Sequence, residues 1–294
     1  MKALISGIKR MEIHDGDGLR TTVFFKGCPL KCLWCHNPES LSFSKQLAHF
    51  TEKCIGCGSC VSACKDNLLQ SPAPPFPSCS VCFECANACP TGALTGYGKE
   101  YTVEELLTAV LEDELFFQNG GGGVTLSGGE CLSQGEFCIA LSKALFERGI
   151  RVNIDTCGFV KREILERILP FVDTFLYDIK AIDEERHIRL TGKSNALILE
   201  NLKYLIERGA KVEIRYPLVK GYNDTESERI AKFLAPLPIQ KIKVLQHHSF
   251  ANSRYRALGY KDEWLDSETT LTDMENCVEL FKSYSLPAVN GAIE

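Results

Sequence analysis

The sequence predicts an α/β fold: an incomplete (β/α)6 barrel of TIM type that carries one small Cys-rich insertion. Three observations predict it. Six short runs rich in β-branched and aromatic residues alternate with helix-like stretches, the signature of βα units around a parallel sheet. Those runs have few alternating polar positions, as strands covered on both faces should. Six units also fall short of the eight that close such a barrel.

In chain order, the strands are predicted at Thr21–Phe25, Val124–Ser127, Val152–Asp155, Thr174–Ile179, Val212–Tyr216 and Ile242–Leu245. The first helix runs from Thr102 to Phe117. Thr102 and Glu105 form a capping-box pattern at its start, and Val103, Leu106, Leu107, Val110 and Leu111 recur at helical spacing. Further helices are predicted at Gln134–Arg148, Arg162–Leu169, Leu197–Arg208, Thr225–Leu234 and Thr272–Tyr284. Gly149 and Gly209 read as helix stops just before strands.

The chain has 294 residues, enough for one large domain with a smaller one and for a sizeable core. Its 33 Lys and Arg against 38 Asp and Glu give a net charge of −5. No long basic run stands out, which excludes a nucleic-acid footprint. No apolar run approaches the ~18 residues that span a bilayer. The N-terminal stretch, with Lys9, Arg10, Glu12, His14 and Asp15, has no signal-peptide core. The expectation is a soluble, cytoplasmic protein, a monomer, that binds neither membrane nor nucleic acid.

Fifteen Cys is far above ordinary usage, and eleven of them fall between Cys28 and Cys89. Without an export signal, clustered C-x2-C spacing favours metal or redox use over disulfides. Adjacent C-x2-C thiols rarely bridge each other without strain. One run reads Cys54-x2-Cys57-x2-Cys60-x3-Cys64, and a second reads Cys79-x2-Cys82-x2-Cys85-x3-Cys89-Pro90. A Pro-rich linker, Ser71 to Pro77, joins these two copies of an internal repeat. The second copy matches the bacterial ferredoxin run C-x2-C-x2-C-x3-C-P, in which the fourth Cys serves the other cluster. The first copy ends in Lys65 instead of Pro. On that pattern Cys54, Cys57, Cys60 and Cys89 hold one [4Fe–4S] cluster, and Cys79, Cys82, Cys85 and Cys64 hold another. Zinc is the competing metal for paired C-x2-C motifs, but the repeated triple-Cys run argues for iron and sulfur. The expected division is a barrel over residues 1–49 and 96–294, with a ferredoxin-like domain over 50–95.

A third group, Cys28-x3-Cys32-x2-Cys35, offers three thiols and no fourth in its own loop. A [4Fe–4S] cluster takes four thiolates, one per iron. Three leave one iron open to bind and activate a small molecule.

In parallel α/β folds, ligands bind at the C-terminal ends of the strands. Four motifs sit there: the three-Cys loop, Ser127-Gly128-Gly129-Glu130, Asp155-Thr156-Cys157-Gly158, and Asp178-Ile179-Lys180. Adjacent glycines let a ligand approach the backbone. Glu130, Asp155 and Asp178 are acceptors for an ammonium group or ribose hydroxyls. Lys180 and Arg215 suit a carboxylate, Arg as a bidentate fork. Each motif alone has a plain structural reading, a Gly-Gly turn or an Asp helix cap. Their joint placement beside an open-site cluster motif favours function. His248 ends the last predicted strand, as an adenine contact or a solvated loop His; His247 carries the plain reading, and His14 and His187 stay open between the two. Cys131, Cys138 and Cys277 read as packing residues. Cys157 lies within a motif but shows no evident chemical partner.

The three-Cys loop followed by a Gly-Gly-Glu strand end resembles the radical S-adenosylmethionine superfamily. Within it, the chain resembles the glycyl-radical-enzyme activating enzymes, in the subgroup with a double ferredoxin-like insertion. The likeness spans nearly the whole chain. It includes His14-Asp15-Gly16-x-Gly18-x-Arg20, Trp34-Cys35-His36-Asn37-Pro38-Glu39, Val124 to Glu130, Asp155-Thr156-x-Gly158 and Asp178-x-Lys180. Two positions depart from the family pattern. Asp17 stands where Pro is usual, and Cys131 follows Glu130 where Pro is usual.

The resemblance implies that Cys28, Cys32 and Cys35 hold the catalytic cluster and that S-adenosylmethionine chelates its open iron. It places Gly128, Gly129 and Glu130 near the amino group, and Trp34, Asp178, Lys180, Arg215 and His248 around the rest of the cofactor. Asp155, Thr156 and Asp178 resemble a monovalent-cation site for sodium or potassium. Asp15, Gly16 and Gly18 lie near the incoming peptide. The implied activity is reductive cleavage of S-adenosylmethionine to methionine and a 5′-deoxyadenosyl radical, which takes a hydrogen from a glycine Cα of a partner glycyl radical enzyme. Flavodoxin or ferredoxin is the implied electron donor. No general acid or base is required. The competing readings are a radical enzyme acting on another peptide or a small molecule, and an electron carrier with three closed clusters.

Overall fold

The computed structural model describes residues 1–66, 79–260 and 267–292. The predicted Pro-rich linker, Ser71 to Pro77, lies outside them. The described residues form eleven strands. These are β1 (Lys2–Glu12), β2 (Arg20–Phe25), β3 (Gln46–His49), β4 (Leu94–Tyr97), β5 (Lys99–Thr102), β6 (Gly123–Gly128), β7 (Arg151–Thr156), β8 (Thr174–Asp178), β9 (Val212–Leu218), β10 (Lys241–Gln246) and β11 (Ala288–Asn290). Nine of them make one sheet in the order β11-β10-β9-β8-β7-β6-β2-β1-β5.

The six predicted strands are β2 and β6 to β10. They run side by side and parallel, from Thr22 opposite Thr125 to Lys243 opposite Arg215. Their burial explains the apolar runs. Val124, Leu126, Ile154, Leu176, Ile214 and Val244 are fully buried, because helices cover one face and the barrel interior the other. The result is a mixed α/β fold built on a parallel sheet, a partial barrel of TIM type. Beyond β10 the sheet gains β11, parallel to it.

Three predicted helices hold to within a residue or two, at Gly135–Phe146, Arg162–Ile168 and Ala196–Glu207. A fourth, Leu271–Ser283, has its own capping box from Thr270 and Asp273. Gly149 and Gly209 follow their helices at φ of 71° and 74°, the left-handed turn that ends a helix without a Cβ penalty. The predicted helix from Thr102 has the expected capping box, but it stops at Leu111, and a second helix runs from Glu114 to Gly120. Asp113 is the reason. Its buried carboxylate accepts from Arg10 Nη1 at 2.7 Å and from Thr21 Oγ1 at 2.6 Å, which pins the chain to β1 and β2 and interrupts the turn.

The antiparallel pair β1 and β5 was not expected. β1 buries only Ala3 and Ile5, its other residues being half-buried or exposed, so its apolar pattern is weak. The helix Glu184–Thr191 went unread for the same reason: it is mostly charged and buries only His187, Leu190 and Thr191.

Between β2 and β6 the chain leaves the barrel. Strands β3 and β4 pair antiparallel, His49 opposite Leu94. Two single-turn helices, Ser59–Ala63 and Glu84–Asn87, lie between them in sequence, one inside each Cys run.

Candidate active site

The C-terminal ends of β2 and β6 to β10 surround a cavity of about 600 Å³. Cys28, Cys32 and Cys35 form one wall of it, and Trp34, Gly128, Gly129, Asp155, Thr156, Asp178, Lys180, Arg215, His248 and Asp15 also line it. Residues more than 200 positions apart in the chain thus share one chamber.

Backbone hydrogen bonds hold the Cys loop at several points, and Tyr255 OH adds one to Cys35 O at 3.1 Å. Gly27 N–H donates to Ser40 O at 2.7 Å and Cys28 N–H to Leu41 O at 3.2 Å. Lys31 N–H reaches Thr191 O at 2.7 Å, and Leu33 N–H reaches Leu190 O at 3.0 Å. Lys26, fully buried at the end of β2, donates to Glu39 O at 2.5 Å and to Gln46 Oε1 at 2.7 Å. Burial pushes its pKa down to about 8. Burial also raises the thiols of Cys32, to about 12, and of Cys35. A metal would have to displace these protons, since the thiolate is the ligand.

The glycines after β6 serve the loop itself. A Cβ on Gly128, whose φ is +118°, would lie 2.2 Å from Phe25 N and O. One on Gly129 would lie 2.5 Å from Gly27 O and Ser40 O. Gly129 N–H donates to Phe25 O at 2.9 Å, and Glu130 N–H to Gly27 O at 2.8 Å. The close approach that the glycines allow is therefore that of the Cys loop's own backbone.

Glu130 is fully buried and stands behind the cavity wall. Its carboxylate accepts from Thr156 Oγ1 at 2.9 Å, Cys157 N at 2.8 Å and Leu132 N at 3.0 Å. It ties the end of β7 to the Cys loop. Burial raises its pKa against those donors.

Arg215, on β9, is the centre of charge. Its guanidinium lies 3.4 Å from Asp15, 3.6 Å from Asp155 and 3.8 Å from Glu213, and it donates to His14 O at 2.9 Å. Its Nε has no hydrogen-bond partner. Asp155 also accepts from Ser127 Oγ at 2.6 Å. Burial, with Asp178 and Asp15 adding to it, pushes Asp155 up to about 7 despite Arg215. Lys180 Nζ donates to Asp178 at 2.6 Å. Burial works against its ammonium, but Asp178 and Cys32 hold its pKa well above the usual value.

Part of the lining is aromatic. His36 stacks on His248 with ring centroids 4.1 Å apart and planes 17° apart, and His36 Nε2 lies 3.1 Å from His247 Nδ1. Burial and the neighbouring His248 push His36 down to about 3. Trp34 packs among Leu190, Val219 and Cys32.

Three further groups line this cavity that carry only a plain reading, or none, from the sequence. His36 lies inside the loop motif, His247 beside His248, and Cys157 beside Thr156. Cys157 has a partner after all: its thiol faces Cys28, which together with burial raises it. The fold alone brings β2 and β7 close enough for that.

Gly16 and Gly18 do not line the cavity. A Cβ on Gly16 would meet Asn153 Nδ2 at 2.0 Å, and one on Gly18 would meet the Gly120–Gly122 backbone at 2.6 Å. Both have positive φ. They set the path that carries Asp15 to Arg215. Asp17, between them, is exposed.

A second cavity, of about 210 Å³, lies in the Cys-rich segment and is lined by Cys54, Cys57, Cys60 and Cys89. The other four thiols gather as well: Cys85, pushed up to about 11 by burial, feels Cys79, Cys64 and Cys82. Among the described residues, no group of three or more His, Cys, Asp or Glu is set to hold a single metal ion. A cluster asks for something different, one thiolate per iron spread around it.

Comparison with known proteins agrees with this geometry. The family described as the Radical SAM superfamily matches residues 22–234. The chain is 41% identical over 277 residues to the trans-4-hydroxy-L-proline dehydratase activating enzyme of Clostridioides difficile, covering 90% of each. It is 38% identical over 301 residues to the choline trimethylamine-lyase activating enzyme of Oleidesulfovibrio alaskensis, covering 97% of each. In fold it is similar to Streptococcus suis SuiB bound to the precursor peptide SuiA, with a TM-score of 0.57 and 15% identity over 90% of this chain and 46% of that one. The matched family and the long, similar relatives show that the chain belongs to the radical S-adenosylmethionine superfamily and, within it, to the glycyl-radical-enzyme activating enzymes.

Proposed function

We propose that the chain puts a radical on one glycine of a partner glycyl radical enzyme, using S-adenosylmethionine bound in the 600 Å³ cavity. The observation that carries this is the single chamber in which Cys28, Cys32 and Cys35 meet the strand ends at Gly128, Asp155, Asp178 and Arg215. The residues fit the cofactors. Three thiols stand on one wall, and two buried side-chain nitrogens, Arg215 Nε and His247 Nε2, lack hydrogen-bond partners. When bound, the cluster supplies one electron to the sulfonium, giving methionine and a 5′-deoxyadenosyl radical that takes the glycine hydrogen.

The chain's own residues hold and shield this chemistry. Cys28, Cys32 and Cys35 hold the cluster. Gly128 and Gly129 let the β6 end sit against the loop and stand near the cofactor's amino group, and Glu130 fixes their position. Arg215 and Lys180 neutralise the carboxylate end of the cofactor. His248, stacked on His36, and Trp34 give flat faces to its adenine side. Asp155, Thr156 and Asp178 take a sodium or potassium ion. Asp15, positioned by Gly16 and Gly18, faces the incoming peptide.

Cys54, Cys57, Cys60 and Cys89 hold one further [4Fe–4S] cluster, and Cys64, Cys79, Cys82 and Cys85 another. Both would relay electrons from ferredoxin or flavodoxin to the cluster held by Cys28, Cys32 and Cys35, in a chain that acts as a monomer. The two relatives named above are activating enzymes for a dehydratase and a lyase, so the partner is sought among enzymes of those kinds.

One experiment tests the function. The reduced, anaerobically reconstituted chain is mixed with S-adenosylmethionine and candidate partners. A glycyl-radical doublet in electron paramagnetic resonance supports the reading. Cleavage of S-adenosylmethionine with no doublet on any such partner overturns it. About twelve irons per chain are expected if each of three clusters holds four; stoichiometric zinc with little iron would sink the cluster assignment.

A further inference from the structure

His49 ends β3 and is only 7% exposed. Neither of its ring nitrogens has a hydrogen-bond partner. A buried polar group is costly when unpaired, and native folds satisfy nearly all of them. Burial pushes the His49 pKa down against the pull of Glu52. In either protonation state the ring has an N–H to give.

The side chain lines the 210 Å³ cavity together with Cys54, Cys57, Cys60 and Cys89. The ladder puts it there. His49 pairs with Leu94, and Leu94 N–H donates to Cys89 Sγ at 3.5 Å. The same short sheet thus delivers both a backbone N–H and an imidazole to one set of thiols.

A cluster in that cavity offers what the ring lacks. Its sulfide and thiolate sulfurs carry negative charge and accept hydrogen bonds, and such bonds tune the reduction potential. A donor stabilises the extra negative charge of the reduced state, so it raises the potential. The repeat is unequal at this point. His49 stands five residues before Cys54, whereas Pro74 stands five before Cys79, and Pro has no such donor.

We propose that His49 donates a hydrogen bond to a sulfur of the cluster held by Cys54, Cys57, Cys60 and Cys89, and so raises its potential relative to the cluster of the second copy. This rests on the reading that those four thiols hold a cluster. His49 is a positioning residue that acts through the cluster's charge.

The test uses the full chain, reconstituted anaerobically, without S-adenosylmethionine. Redox titration is followed by electron paramagnetic resonance. A Cys57→Ala variant loses one signal and so identifies it. In His49→Leu that signal titrates lower, its reduced-to-oxidised ratio at the wild-type midpoint falling about tenfold (59 mV for a one-electron couple). The other signals stay in place. His49→Gln, which keeps an amide N–H, recovers at least half of the shift. An unmoved midpoint in His49→Leu overturns the proposal. So does a loss of about four irons per chain that His49→Gln does not restore, because His49 then holds the cluster instead of tuning it. If Cys57→Ala loses no signal, the proposal falls with the cluster assignment, while cleavage of S-adenosylmethionine at Cys28, Cys32 and Cys35 still stands.

Discussion

Arg215 and Asp15 meet at 3.4 Å although 200 residues separate them. The pair joins β9 to the loop between β1 and β2, and Asp155 shares the same guanidinium at 3.6 Å. Breaking a buried pair by removing one partner costs about 3–5 kcal/mol, because the remaining charge is left uncompensated. Arg215→Ala is therefore expected to lower stability on that scale, measured by urea unfolding, and to abolish detectable cleavage of S-adenosylmethionine. Arg215→Lys keeps a charge but loses the fork. It should recover most of the stability and little of the cleavage. Equal recovery of both would argue against a cofactor role for the guanidinium.

Asp155 gives the site a pH dependence whose sign is fixed. Its carboxyl titrates near 7 in the fold and near 3.9 when unfolded. Between those values the folded state holds the extra proton, so this group's contribution to stability falls as pH rises from about 4 to about 7. Above 7 the carboxylate is charged and ready for a cation. Potassium activation of cleavage should therefore be weak at pH 6 and strong at pH 8. Asp155→Asn should remove that difference. Activation that is flat in pH for the unmodified chain would rule out a cation site at Asp155.

The glycines offer a contrast of position. A Cβ at Gly129 meets two backbone oxygens at 2.5 Å, and neither can step aside without moving the Cys loop. Gly129→Ala is expected to lose about four irons per chain, counted after reconstitution, together with cleavage. Gly149 has positive φ but open space around it. Gly149→Ala should cost only about 1–2 kcal/mol, the left-handed penalty, with iron content unchanged. A full iron complement in Gly129→Ala would contradict the packing account.

Cys157 and Cys28 are neighbours in the fold, so the three-thiol reading needs a direct check. Cys32→Ala should end cleavage and, on the proposed assignment of two further clusters, leave about eight irons per chain. Cys157→Ala should retain the full iron content and cleavage, since its thiol stands beside a ligand rather than serving as one. Loss of about four irons in Cys157→Ala would make it a fourth ligand and close the open iron.

The stack of His36 on His248 predicts a binding effect. Aromatic pairs contribute about 0.5–1.5 kcal/mol beyond their buried area. His248→Ala should raise the KM for S-adenosylmethionine several-fold with a smaller change in kcat. An unchanged KM would place His248 outside the cofactor's contacts.

The sequence alone determined the chemistry and the parallel sheet. Cys spacing is a local property, and the C-x3-C-x2-C loop and the repeated ferredoxin-type runs are legible without a fold. The six central strands are legible because burial on both faces favours apolar residues with few polar interruptions, as in Phe175–Tyr177. The strand β1 and the helix Glu184–Thr191 were not, because a half-exposed element needs few apolar residues. Only the tertiary structure decided what the motif residues touch. Gly128 and Gly129 turned out to seat the Cys loop, Glu130 to brace it, and Gly16 and Gly18 to clear a path for Asp15. The meetings of Cys157 with Cys28, of His36 with His248, and of His49 with the first Cys set belong to the fold for the same reason. Hydrogen bonds and close packing act over a few ångströms of space, and no spacing along the chain records which distant residues will be brought within them.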